Sequence, residues 1–91
     1  VARLSRRFAV RVEVESLEGM ADPEGRTVER ALGALGFSGA NNVHIGKMIT
    51  FELEAADLET AEREVEKMCD DLLVNPVIET RVIEITPVWT R

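Results

Sequence analysis

The chain has 91 residues, so one domain is the only reasonable count, and its core is marginal by itself. An apolar fraction of 45% and a charged fraction of 31% belong to a folded globular protein and argue against disorder. Seventeen acidic residues against eleven basic ones give a formal net charge of -6, which repels phosphate backbones and makes nucleic acid a poor partner.

The chain opens on a basic stretch. Arg3, Arg6 and Arg7, with Arg11 further on, read as a solvated arm over about residues 1–7 rather than a binding patch. Val1 in place of Met is compatible with processing of the first residues. Phe8, Val10, Val12 and Val14 then alternate with Ala9, Arg11, Glu13 and Glu15, the pattern of a half-buried strand over 8–15. Ser16 to Ala21 breaks the alternation and reads as a loop.

Asp22-Pro23-Glu24 starts a helix: Asp22 can cap free backbone N–H groups, and Pro23 suits the first helical position. Val28, Ala31, Leu32 and Leu35 follow at helical spacing. Gly36 is the expected stop, and Phe37 is expected to fold back on the apolar face. Val43, Ile45, Ile49, Phe51 and Leu53 share one parity, interrupted by Lys47. A hairpin at Gly46-Lys47 is conceivable, but it would mix polar and apolar residues on each face. The unbroken parity favours one long strand over 43–55, bent or bulged at Gly46. Such a strand would span about 43 Å against about 26 Å for residues 8–15, overhang its neighbours, and offer an edge to a second chain.

Asp57 can cap a second helix whose apolar face is Leu58, Ala61, Val65, Met68, Cys69, Leu72 and Leu73. Asn75-Pro76 stops it. Arg81, Ile83 and Ile85 alternate with Val82 and Glu84 in a last strand limited by Pro87, and a short tail over about 87–91 carries Trp89. The expectation is one α+β domain over 1–91: a small antiparallel sheet with a long central strand and two helices on one face.

Chemistry is sparse. His44 is the lone histidine and reads as a surface or interface residue, so neither a zinc site nor general base catalysis is expected. Cys69 lies on the apolar stripe beside Asp70 and Asp71, which suits a small hydrophobe and opposes thiolate formation. As the single cysteine it excludes an intrachain disulfide and fits a reducing compartment. Asp22 and Glu24 read as capping and helix-dipole residues rather than a catalytic pair. No phosphate-binding glycine motif is present. No apolar run is long enough for a bilayer, and no secretory signal opens the chain, so a cytoplasmic location is expected. Gly46-Lys47 stands between two readings: a strand bulge with an exposed lysine, or a contact with a partner subunit.

Three motifs give the chain a family resemblance. They are Asp22-Pro23-Glu24-Gly25 with Val28-Glu29-Arg30-Ala31-Leu32 and Leu35-Gly36-Phe37; then Val43-His44-Ile45-Gly46-Lys47 with Ile49, Phe51, Leu53 and Glu54; then Met68-Cys69, Leu72-Leu73 and Asn75-Pro76-Val77-Ile78-Glu79. In order and spacing, from about Phe8 to Ile85, the chain resembles the PurS family, the small subunit of phosphoribosylformylglycinamidine (FGAM) synthase. Leu17, Ala21 and His44 depart from the usual pattern at positions that bear on partner contacts rather than the fold. The resemblance implies a fold related to the ferredoxin-like arrangement, βαβ(β)αβ. It implies a non-catalytic subunit that bridges PurL and PurQ and assists ammonia transfer in purine biosynthesis. ATP and Mg would be used by the complex and no cofactor bound by this chain. The isolated chain would be a homodimer or homotetramer. Within the motifs, Asp22, Pro23, Gly25, His44, Gly46, Lys47, Asn75 and Pro76 are the candidate partner or dimer contacts. The competing expectation is a regulatory module of similar fold that binds a small molecule such as an amino acid.

Overall fold

A computed structural model describes residues 6–88. The first strand, β1 (Arg6–Ser16), lies at the centre of a three-stranded sheet. Helix α1 (Pro23–Ala34) follows, then β2 (Lys47–Ala55), α2 (Leu58–Met68) and β3 (Glu79–Val88). The order across the sheet is β2-β1-β3, and β1 is antiparallel to both neighbours. The expected α+β class and antiparallel sheet are therefore present.

The alternation in β1 decides where the core sits. Phe8, Val10, Val12 and Val14 are buried against α2, whose Ala61, Val65 and Cys69 meet them. Ile49, Phe51 and Leu53 of β2 and Ile83 and Ile85 of β3 flank this row and are only half covered. Each fully buried valine or phenylalanine contributes about 1.5–3 kcal/mol from removal of apolar surface from water. The opposite sheet face is charged. Arg7 lies 3.7 Å from Glu52 and 3.8 Å from Glu54, and Arg11 lies 3.9 Å from Glu84. Pairs this exposed add little stability, but they mark the face as a solvated one.

Several expectations change. Arg6 and Arg7, assigned to the arm, begin β1; Arg3 and Trp89 lie outside the described residues. The segment 43–55 is not one long strand, because β2 starts only at Lys47. Every residue of β2 has a partner on β1, from Lys47 opposite Val14 to Ala55 opposite Arg6, so nothing overhangs. Pro87 does not limit β3, which runs on to Val88; an edge strand tolerates a residue without an N–H.

Helix α2 continues through a wider π-helical turn over Cys69–Leu73, closed by the Val74 N–H donating to the Cys69 carbonyl at 3.1 Å. The wider turn brings Val74 into the core and leaves Leu72, expected on the apolar face, 82% exposed. Helix α1 ends as expected, with Gly36 at φ 97°. Phe37 N–H donates to Leu32 O and Gly36 N–H to Gly33 O, the paired bonds of a Schellman stop. Phe37 itself stays largely exposed.

The main departure is the position of α1. Among the described residues, α2 packs on the sheet, whereas no α1 side chain joins either buried cluster. Gly25 is the one buried residue of α1. The molecule is drawn out to 63 × 32 × 14 Å with a radius of gyration of 17.9 Å. A compact chain of this length would have a radius of about 12 Å.

Candidate functional site

The candidate contact residues gather where β1 ends and β2 and β3 begin, in two linked groups. The first is built on Asp22. Its position just before Pro23 makes it the cap of α1: one carboxylate oxygen accepts from Gly25 N–H at 3.0 Å. The other accepts from Ile45 N–H at 3.0 Å and lies 3.3 Å from His44 Nδ1. The side chain is only 9% exposed. The Gly25 and Ile45 backbone bonds, and then His44, hold the Asp22 carboxyl below its ordinary pKa against the opposing effect of burial. Asp22 thus ties the foot of α1 to the segment that returns toward β2.

Neighbouring groups strengthen that tie. Val43 N–H donates to Glu29 Oε1 at 3.1 Å, and Arg26 donates to the Val43 carbonyl. Glu29 and Arg26 also pair at 3.3 Å. Gly25 is required by close approach: a Cβ there would run into the Val43 carbonyl oxygen and the Asp22 carboxylate. This explains the missing strand over 43–46. The N–H groups of Val43 and Ile45 are taken by Glu29 on α1 and by Asp22 at its cap, so neither is free for a sheet ladder.

The second group joins the strand ends. At Gly46 a Cβ would stand 2.7 Å from the Val14 carbonyl oxygen, so a side chain would push the returning segment off β1. The close backbone approach expected at Gly46 is real and is made by the protein's own chain. Lys47, the first residue of β2, reaches Glu79 at 3.9 Å. Glu79 also accepts from Asn75 N–H at 2.8 Å. Asn75 Oδ1 accepts from Val77 N–H at 3.1 Å, forming an Asx turn over Pro76. Leu17 N–H donates to Ile78 O at 2.8 Å and fastens the end of β1 to the same turn.

Sequence reasoning missed Glu79, Glu29 and Arg26 as members of this joint. Glu79 carried a signal, since it shares the inward parity of Arg81, Ile83 and Ile85, and a carboxylate on that side needs a donor. Glu29 and Arg26 carried none, because their target is a backbone group 14 and 17 residues away.

The arrangement is suited to holding shape rather than to bond chemistry. His44 and Asp22 form a contact, but Asp22 is engaged by two backbone donors. Among the described residues, no group of three or more His, Cys, Asp or Glu could hold a metal ion. Cys69 is buried on α2; burial raises its thiol pKa against the opposing charge of Arg81, which keeps it a thiol at neutral pH. Among the described residues, no helix is long and apolar enough to cross a membrane.

Comparison with known proteins gives a consistent picture. The family model "PurS: Phosphoribosylformylglycinamidine (FGAM) synthase" matches residues 9–87. The PurS subunit of Synechocystis is 41% identical over 83 residues, covering 91% of this chain and 83% of that protein. The PurS subunit of Archaeoglobus fulgidus is 46% identical over 68 residues, covering 75% and 85%. Among solved structures, PurS of Methanocaldococcus jannaschii superposes with a TM-score of 0.80 at 36% identity, covering 90% of this chain and 99% of that one. A chain of PurLQS from Thermotoga maritima does so with a TM-score of 0.78 at 34% identity, covering 90% and 98%.

Proposed function

The chain belongs to the PurS family of FGAM synthase subunits, and from that premise we propose that it joins PurL and PurQ as a bridging subunit and assists ammonia transfer between them. Its enzymatic role is that of the complex, a ligase of purine biosynthesis, with the cytoplasm as the place of action. ATP and Mg serve the complex and are not bound by this chain. The isolated chain self-associates as a dimer or tetramer.

The observation that carries this reading is the use made of the polar groups. Asp22, Glu29, Asn75 and Glu79 all hold backbone N–H groups of their own chain. Asp22 and Glu29 fix the direction in which α1 leaves the sheet, and Asn75 and Glu79 fix the turn that leads into β3. A subunit that must present a surface needs such a rigid joint, whereas a catalyst needs an available acid, base or nucleophile. Ammonia passed between two active sites needs water to be excluded along the way, and shape and contact achieve this. The regulatory, amino-acid-binding reading is not favoured, since the relatives are synthase subunits along nearly their whole length.

Copurification tests the bridge. The tagged full-length chain is expected to retain both PurL and PurQ in the presence of glutamine and ATP. Omitting this chain should leave PurL and PurQ unable to retain one another. Retention of neither protein by the tagged chain would overturn the proposal.

A further inference from the structure

A hollow on the β3 side of α2 mixes apolar and charged walls. It measures about 460 Å³ and is lined by Leu58, Glu62 and Glu66 of α2 and by Arg81, Ile83 and Ile85 of β3. It exists because α2 packs over β1, the middle strand, and leaves the inward residues of β3 half covered. Arg81 pairs with Glu66 at 2.9 Å and with Asp70 at 3.2 Å. Glu62 has no ion-pair partner among the described residues. Val88, where β3 ends, lies opposite Arg7, and Arg7 lies opposite Glu54 near the end of β2. Helix α2 begins shortly after, at Leu58. The chain therefore leaves β3 at the end of the molecule where α2 starts. Trp89, Thr90 and Arg91 follow, outside the described residues, and Trp89 continues the parity of Ile83 and Ile85.

We propose that the segment Trp89–Arg91 folds back on its own chain and seats the Trp89 ring in this hollow, against Leu58 and Ile85, with Glu62 as its polar partner. The chemistry of the hollow selects this occupant. A covered indole needs an apolar bed and one acceptor for its N–H. Leu58 and Ile85 supply the bed, and Glu62, one helical turn after Leu58, supplies the acceptor. Arg91 brings the positive charge that Glu62 lacks, and a carboxylate can accept from both groups. A wholly apolar helix would instead bury Glu62 and Glu66 without donors. Position favours the same segment. Three residues span about 10 Å, and a short tether holds the ring near the hollow at about millimolar effective concentration. The hollow is then a seat for the chain's own tail rather than a site for a small ligand, and the ring closes the edge of the core beside Phe8 and Ile85.

Trp89 is the single tryptophan and the chain has no tyrosine, so the fluorescence of the full-length protein reports on this ring alone. Its emission should be blue-shifted from that of N-acetyltryptophanamide, and acrylamide should quench it several-fold less. Two variants disturb the seat and leave the buried core intact. Leu58→Ser removes the bed at a residue that is 43% exposed. Glu62→Lys, on the exposed side of α2, removes the acceptor and opposes Arg91. Each should shift the emission to the red and raise quenching several-fold, with the far-ultraviolet circular dichroism unchanged. Emission and quenching equal to those of the free indole compound would overturn the proposal. A blue-shifted emission that neither variant moves would overturn the seat. A blue shift lost on dilution would place the ring on a second copy and overturn the fold-back.

Discussion

Helices α1 and α2 are built from similar sequence devices and reach opposite ends. Each is amphipathic and each starts on an aspartate, Asp22 and Asp57, whose carboxylate accepts from a backbone N–H three residues on. Helix α2 lies on the sheet and buries Ala61, Val65 and Cys69. Helix α1 lies off the sheet with Val28 and Leu35 uncovered, fixed at its foot by polar contacts. The difference teaches that amphipathicity marks an apolar helix face, but not whether the chain's own sheet covers it. In α2 apolar burial stabilises the fold, whereas at α1 hydrogen bonds set a direction and leave the apolar face uncovered.

The largest effect that should sharpen this contrast lies in the core. Phe8→Ala is expected to cost about 3–5 kcal/mol in urea unfolding, because a fully buried ring is lost and a cavity left. Gly46→Val comes next, at about 1–3 kcal/mol, since the added carbons meet the Val14 carbonyl. It should also reduce assembly, and unchanged stability and assembly would remove the close-approach argument.

The third effect is a pH dependence. The Asp22 pKa is lower in the folded protein than in the unfolded chain, so its contribution is fully present above the ordinary carboxylate range near pH 4. It is lost as pH falls through the lowered folded value. Hydrogen exchange at Gly25 and Ile45 should therefore accelerate below about pH 4, with β1 still protected and with no such step in Asp22→Asn. Equal acid sensitivity in the wild type and Asp22→Asn would contradict this. The smallest effect belongs to Lys47→Ala, expected below about 1 kcal/mol, because its ion pair with Glu79 is exposed on the lysine side.

Much of the fold was legible because period and punctuation agreed. The valine alternation marked β1, and Asp22-Pro23 and Asp57 marked the helix starts. The segment 43–46 was misread for a definite reason. Val43 and Ile45 share the parity of Ile49 and Phe51, but their N–H groups bond to Asp22 and Glu29, contacts that no local pattern encodes. Of the candidate site, the aspartate, the glycines and the Asn75-Pro76 turn were visible as motifs. That Glu79 would join Lys47 to Asn75 depended on register across three strands. The position of α1 was hidden most deeply, since its sequence matches that of a helix lying on its own sheet.

The central claim is that this chain contributes shape and contacts rather than chemistry. The most direct measurement compares FGAM synthesis by PurL and PurQ, with and without this chain, using glutamine or ammonium as the nitrogen source. The account predicts that glutamine-dependent synthesis collapses without the chain while ammonium-dependent synthesis persists. Equal glutamine-dependent rates with and without it would contradict the account.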